Sequence, residues 1–134
     1  VSTYIPESYK VTLAAHIAEK ASHIKVTYLD AGTPGELTKE AMVTQKLIID
    51  SGANSYACEV TVAINEEVTA EYYEGNTATV GGELVVFDNE LPYASAVTKI
   101  ELVDTDGEVM ITREYETPLI VDLQPFNFKL AMRF

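Results

Sequence analysis

The chain has no tryptophan, a single cysteine and few cations. Each shortage excludes something. One cysteine, Cys58, rules out an internal disulfide, so the 134 residues must hold together by burial and hydrogen bonding alone. Nine Lys and Arg against twenty-one Asp and Glu give a net charge of −12. A nucleic-acid binder needs cations to displace counterions from phosphate, and an anionic membrane surface makes the same demand, so neither partner is expected. No run approaches the roughly eighteen apolar residues of a membrane span. The opening Val-Ser-Thr-Tyr has neither the basic nor the apolar region of a signal peptide. Val1 is small enough to follow a removed initiator Met. The expectation is a protein made in a cytoplasm.

What is present points to one β-rich domain. Hydrophobic residues make up 47% of the chain, too many for disorder. The charge is uneven. Residues 1–58 hold five cations and six acids, and residues 59–122 hold two cations and fifteen acids. Residues 123–134 add only Lys129 and Arg133. An acidic body therefore lies between two nearly neutral or slightly basic ends, where contacts are expected.

Pro6–Ser22 reads as the one helix. Proline suits a first helical turn, and Glu7 answers the helix dipole. Val11, Ala14, Ala15, Ala18 and Ala21 share one helical stripe, widened by Leu13 and Ile17. From Ile24 the period becomes two, and residues 24–134 read as a β-rich body. Ile24–Tyr28 is a strand, Asp30–Gly35 a loop, Glu36–Met42 a short helical turn and Val43–Asp50 a strand. Ser51-Gly52-Ala53-Asn54 is a turn. Tyr56–Ile64 alternates cleanly, and Val68, Ala70 and Tyr72 continue in that style. Gly75-Asn76 offers a hairpin turn, Gly81-Gly82 a break and Glu83–Asp88 a short strand. Val97–Val103 and Glu108–Tyr115 flank Asp104-Thr105-Asp106-Gly107, a strong hairpin signal. Thr117-Pro118 is a kink or strand boundary. Phe126, Phe128, Leu130, Met132 and Phe134 then alternate with polar or small residues. The fold class is α+β, mostly β: one N-terminal helix (6–22) packed on an antiparallel sheet or β-sandwich of about seven to nine strands.

Chemistry-bearing clusters are thin. His16 and His23 fall on the polar side of the helix, roughly 10 Å apart along its axis, too far to share a metal. They read as solvated. Cys58 is in phase with Val60 and Val62 and reads as a buried thiol. Nothing places a histidine base near Cys58, and the scattered serines form no G-x-S-x-G elbow. Asp104, Asp106 and Glu108 borrow part of a calcium loop, but the place of its distal glutamate is taken by Arg113. Glu66, Glu67, Glu71 and Glu74 read as a solvated acidic face beside Tyr72 and Tyr73. No catalytic residue, cofactor or metal is assigned. The five large apolar residues of the closing strand cover the domain's own core or meet another subunit. Phe126, Phe128, Leu130, Met132 and Phe134, with Ala14 and Ala18 of the helix, are the expected assembly interface.

The order of elements resembles a known family. A helix containing Tyr9-Lys10-Val11-Thr12-Leu13-Ala14-Ala15-His16-Ile17-Ala18 feeds a strand ending in Asp30-Ala31-Gly32. Later come Thr98-Lys99-Ile100-Glu101-Leu102-Val103-Asp104-Thr105-Asp106-Gly107-Glu108-Val109, the Pro118 break and an apolar closing strand. This is similar to the tail-collar fibre domain at the N-termini of many bacteriophage tail fibres. Glu101 stands where that family favours glycine, and Val103 where it favours phenylalanine. The resemblance implies no enzyme and no cofactor, with attachment of tail parts through symmetric oligomers. The resulting expectation is a non-catalytic virion structural protein, of tail or collar adaptor or fibre-attachment type. Its partners would be other virion proteins and further copies of itself. A capsid decoration protein, or a β-sandwich module binding glycan or protein through Tyr72, Tyr73 and Tyr93, is the alternative. A small hydrolase is disfavoured.

Overall fold

The computed structural model describes residues 1–53 and 55–134, without the side chains of Thr69 and Ala70. Asn54 of the expected 51–54 turn lies outside the described residues. The chain opens with helix α1 (Glu7–Lys20), for which Pro6 is the cap. The Pro6 carbonyl accepts the Tyr9 and Lys10 amides at 3.0 and 3.1 Å. Strand β1 (Ala21–Asp30) follows without a linker. The helix therefore ends two residues before the expected Ser22. Ala21 is already extended, with φ −63° and ψ 123°. The Lys20 carbonyl accepts Thr105 N at 2.9 Å and the Ala21 carbonyl accepts Lys46 Nζ at 2.7 Å. Partners from elsewhere in the fold replace the helical bonds these groups would otherwise need.

The remaining elements are β2 (Thr33–Met42), β3 (Gln45–Asp50), β4 (Tyr56–Ile64), α2 (Glu67–Tyr73), β5 (Asn76–Val80), β6 (Glu83–Phe87), β7 (Ala96–Asp104), β8 (Val109–Ile120) and β9 (Phe126–Arg133). They form a four-stranded sheet in the order β2-β1-β7-β8, a three-stranded sheet β3-β4-β9 and the ribbon β5-β6. Every pairing is antiparallel. The α+β, mostly β class read from the sequence is the class observed.

One core joins the two larger sheets. Ile24, Val26 and Tyr28 of β1 and Ile100 and Leu102 of β7 meet Cys58, Val60, Val62 and Ile64 of β4, with Phe128 and Leu130 of β9 and Ala14 of α1. The period of two places alternate residues on one face, which is why these strands were legible. Each fully buried aliphatic side chain here contributes about 1.5–3 kcal/mol.

Five expected elements differ. Glu36–Met42 is not a helical turn; it lies in β2, paired with β1 from Glu36↔Leu29 to Met42↔His23. Pro34 and Gly35, expected in a loop, also lie in this strand. Val68–Tyr72 is not a strand but belongs to α2. Gly75, at φ +74°, follows that helix in the left-handed conformation that ends helices, and Asn76 Nδ2 donates to the Tyr72 carbonyl. The hairpin turn is instead Gly81-Gly82, between β5 and β6. Finally, β8 runs on through Pro118. Its pairing slips between Val97↔Leu119 and Lys99↔Glu114, so the proline, which has no N–H to give, sits in an irregularity of the ladder.

Candidate assembly surfaces

The closing strand divides its apolar side chains between two environments. Phe128 and Leu130 are 3% and 2% exposed and are committed to the core, as is Ala14 of α1. Phe126, Met132, Phe134 and Ala18 are half-buried. Of the seven expected interface residues, four are thus half-buried, while Phe128, Leu130 and Ala14 are used up by the chain's own core and offer no surface to another subunit. Val11 and Ala15, placed on the packed stripe by their spacing, are exposed. The helix instead turns Leu13, Ala14, Ile17 and Ala18 inward, because it lies against β3 and β4.

A second apolar surface lies where β8 ends. At the end of β8, Leu119 and Ile120 are exposed, and Leu123 follows them at 66% exposure. Leu119, Ile120 and half-buried Phe126 border a recess of about 170 Å³ with Val121 and Asp122, while Leu123 lines a separate one with Leu91 and Pro92. Leu119, Val121 and Leu123 are spaced by two, as residues of one strand face are, yet only Val121 is buried, because β8 ends at Ile120. Arg113 Nη1 ties β8 to β9 by donating to the Lys129 carbonyl at 3.1 Å.

A further concavity, of about 490 Å³, lies beside α2. Thr44, Gln45, Thr61 and Asn127 supply polar groups, and Tyr72 and Tyr73 supply rings. The two rings are 6.4 Å apart and tilted by 48°. Glu66, Glu67, Glu71 and Glu74 are exposed around them. Tyr93, on another loop, is 67% exposed.

The histidines separate. His16 is exposed on α1. His23 is not on the helix and is not solvated: it lies in β1 and is 3% exposed. Its Nε2 stands 2.8 Å from Glu40 Oε2, close enough for an ion pair although not aligned as a hydrogen bond. Its Nδ1 is 3.0 Å from Ser22 Oγ, and its ring meets Phe87 at 5.3 Å. Ser22 therefore has a histidine nitrogen within hydrogen-bond reach. The pairing arises because Ser22 and His23 are neighbours where the β1–β7 register slips. A cleft of about 240 Å³ between this sheet and the β5–β6 ribbon is lined by His23, Lys25, Glu40, Glu83, Glu101 and Val103 among others. Ser22 does not line it. The imidazole's visible work is to seat Phe87, and with it the ribbon, on the outer face of the sheet.

Cys58 is 1% exposed, and burial pushes its thiol up from the ordinary value, opposed in part by Lys46. In the β7–β8 turn, Asp104 Oδ1 accepts the amides of Asp106 and Glu108, each at 2.9 Å. One oxygen of the most calcium-like acid is thus engaged by the turn itself. Among the described residues, no group of three or more His, Cys, Asp or Glu is placed to hold a metal ion. No helix among them is long and apolar enough to cross a membrane. No family model matches the chain, and no curated protein or solved structure matches it either.

Proposed function

We propose that this protein is a non-catalytic structural component of a bacteriophage particle, of tail or collar adaptor or fibre-attachment type, acting through protein–protein contacts. The observation that carries the reading is the apolar corner formed by Leu119, Ile120 and Phe126 at the start of the closing strand. Exposed apolar side chains gathered at one place mark contact surfaces. The resemblance to tail-collar domains supplies the particle. The order it rests on, a helix into a strand ending near Asp30, the Asp104–Gly107 hairpin and an apolar closing strand, is the order of α1, β1, β7–β8 and β9. The acidic body keeps such a component soluble before assembly and repels packaged nucleic acid.

The test is mass spectrometry of particles banded in a density gradient. The reading expects this chain at a fixed ratio to the major particle proteins, and a lower ratio for Ile120→Glu. Its absence from intact particles overturns the reading. Labelling on the shell rather than the tail would move it to a capsid-decorating position.

The groove beside Tyr72 and Tyr73 favours a second reading, a glycan-binding module. Aromatic rings beside hydroxyl and amide groups suit a sugar face and its hydroxyls. Glycan-array hits that Tyr72→Ala abolishes would select it.

A further inference from the structure

The free edges of the two larger sheets differ in how they discourage pairing. β2 carries Glu36, Lys39 and Glu40 along its length. β8 carries Arg113, Glu114 and Glu116 and then Pro118. β9 has Lys129 at its middle, whose carbonyl Arg113 occupies. Charges and prolines within an edge strand are the usual protection against a second chain. Among the described strands at these edges, β3 alone lacks that protection. Leu47-Ile48-Ile49 form its centre, and its charges, Lys46 and Asp50, stand at the flanks. β4 occupies one side of β3. Leu47 and Ile48 are 44% and 46% exposed.

We propose that β3 is a homotypic docking edge: two copies of this chain pair β3 with β3, antiparallel, about a two-fold axis through Ile48. The charge pattern selects that arrangement. Centred on Ile48, Lys46 lies opposite the partner's Asp50 and Asp50 opposite the partner's Lys46, giving two opposite-charge cross-strand pairs. Leu47 lies opposite the partner's Ile49 on the other face. A shift by one residue in either direction loses both charge pairs. Parallel pairing sets lysine on lysine and aspartate on aspartate. The two-fold contact is self-complementary and closed, and it doubles the β3-β4-β9 sheet into one continuous sheet.

Both charges are already held in place. Lys46 Nζ donates to the Ala21 carbonyl at 2.7 Å, and its ammonium has three N–H groups in all. Asp50 Oδ1 accepts Gly52 N at 2.9 Å. Side chains so restrained lose less freedom on pairing. The ribbon strand β6 is a useful contrast. Leu84-Val85-Val86 is equally apolar, but antiparallel self-pairing about Val85 sets Glu83 against Phe87 and forms no opposite-charge pair. The inference concerns β3 alone and stands apart from the particle reading.

Sedimentation equilibrium of the full chain, over a wide range of loading concentrations, tests it. The expected result is a reversible monomer–dimer equilibrium. K46D and D50K each raise the dimer dissociation constant roughly tenfold, by turning two attractive pairs repulsive. The double variant K46D/D50K returns it to within about threefold of the starting value, since the pairs are re-formed with reversed sign. I48K, which sets two cations together at the axis, abolishes the dimer. Circular dichroism melts confirm that each variant is folded at the assay temperature. A chain that stays monomeric throughout overturns the proposal. So does a dimer indifferent to I48K and to the single charge reversals, or single reversals that the double does not rescue.

Discussion

Asn89 grips Met42 by both of its backbone groups. Its Oδ1 accepts Met42 N at 2.8 Å, and its Nδ2 donates to the Met42 carbonyl at 2.9 Å. The same Nδ2 reaches the Ala63 carbonyl at 3.1 Å. A side chain with no exposed surface thus acts as a length of strand, joining the end of β2 to β4 across the two sheets. Asn89→Ala removes all three bonds and leaves backbone groups without partners. The expected cost is about 2–4 kcal/mol, seen as a lower urea midpoint at an unchanged m-value.

Tyr56 and Glu7 predict an alkaline limb of stability. The Tyr56 hydroxyl donates to the Glu7 carboxylate at the start of α1. That bond first, then burial, then the charges of Asp50 and Glu7, push the phenol from 10.0 up to about 12. The folded chain therefore holds this proton more tightly than the unfolded chain. The contribution is complete below pH 10 and is lost as pH rises towards 12. Tyr56→Phe lowers Tm by a few degrees below pH 10 and flattens the decline across that window. A decline as steep in Tyr56→Phe as in the unsubstituted chain would show that other groups cause it.

Cys58 is expected to resist thiol reagents while the chain is folded. Burial both hides the sulfur and disfavours the thiolate that reacts. Labelling by an aromatic disulfide should be roughly a thousandfold slower than in the unfolded chain, and should accelerate with urea as opening becomes frequent.

Gly81 and Gly82 separate two costs of adding a Cβ. Both have positive φ, +57° and +82°. At Gly81 the new carbon would stand 2.5 Å from the Asp106 carbonyl oxygen, a backbone atom of the neighbouring turn. At Gly82 it would meet nothing within 4 Å. Gly82→Ala should cost about 1 kcal/mol for conformation alone. Gly81→Ala should cost about 2–3 kcal/mol, because the ribbon must also lift from the β7–β8 turn. Urea melts of the two variants read the difference.

Leu130 and Leu123 make a matched contrast between core and surface. Leu130→Ala empties space between the sheets and should cost about 2–5 kcal/mol. Leu123 is 66% exposed, and Leu123→Ala should change stability by about 0.5 kcal/mol or less. Urea unfolding curves of the two variants check both values.

Strands that alternate over a face turned towards the central core are legible from spacing alone. Tyr56–Ile64, Ile24–Tyr28 and Phe126–Phe134 alternate because their inner faces meet other strands. The failures occurred where a distant partner decided the outcome. Glu36–Met42 has little alternation of its own and becomes strand by pairing with β1. Val68, Ala70 and Tyr72 alternate, yet Gly75 and Asn76 terminate a helix there. The histidine cluster was illegible for a related reason. His23 looked like one more polar helical residue, and only its position in β1, opposite Met42 and Val103, brings it against Glu40 and Phe87. Two adjacent residues, Ser22 and His23, then acquire a mutual contact that no spacing rule would select. The outward corner at Leu119 and Ile120 likewise depends on where the fold brings Phe126.

The pairing of β1 with β7 also sets the tempo of self-organisation. β1–β2 and β7–β8 are hairpins whose halves are close along the chain, and each can zip as soon as it is made. The seam between them joins Ile24 to Leu102 and Thr27 to Lys99, with most of the chain intervening. Closing so long a loop is an entropic toll that no local hairpin relieves, so refolding should take milliseconds to seconds rather than microseconds. During synthesis the first hairpin must wait, its inner face wet, until the ribosome has delivered the strand that closes over it.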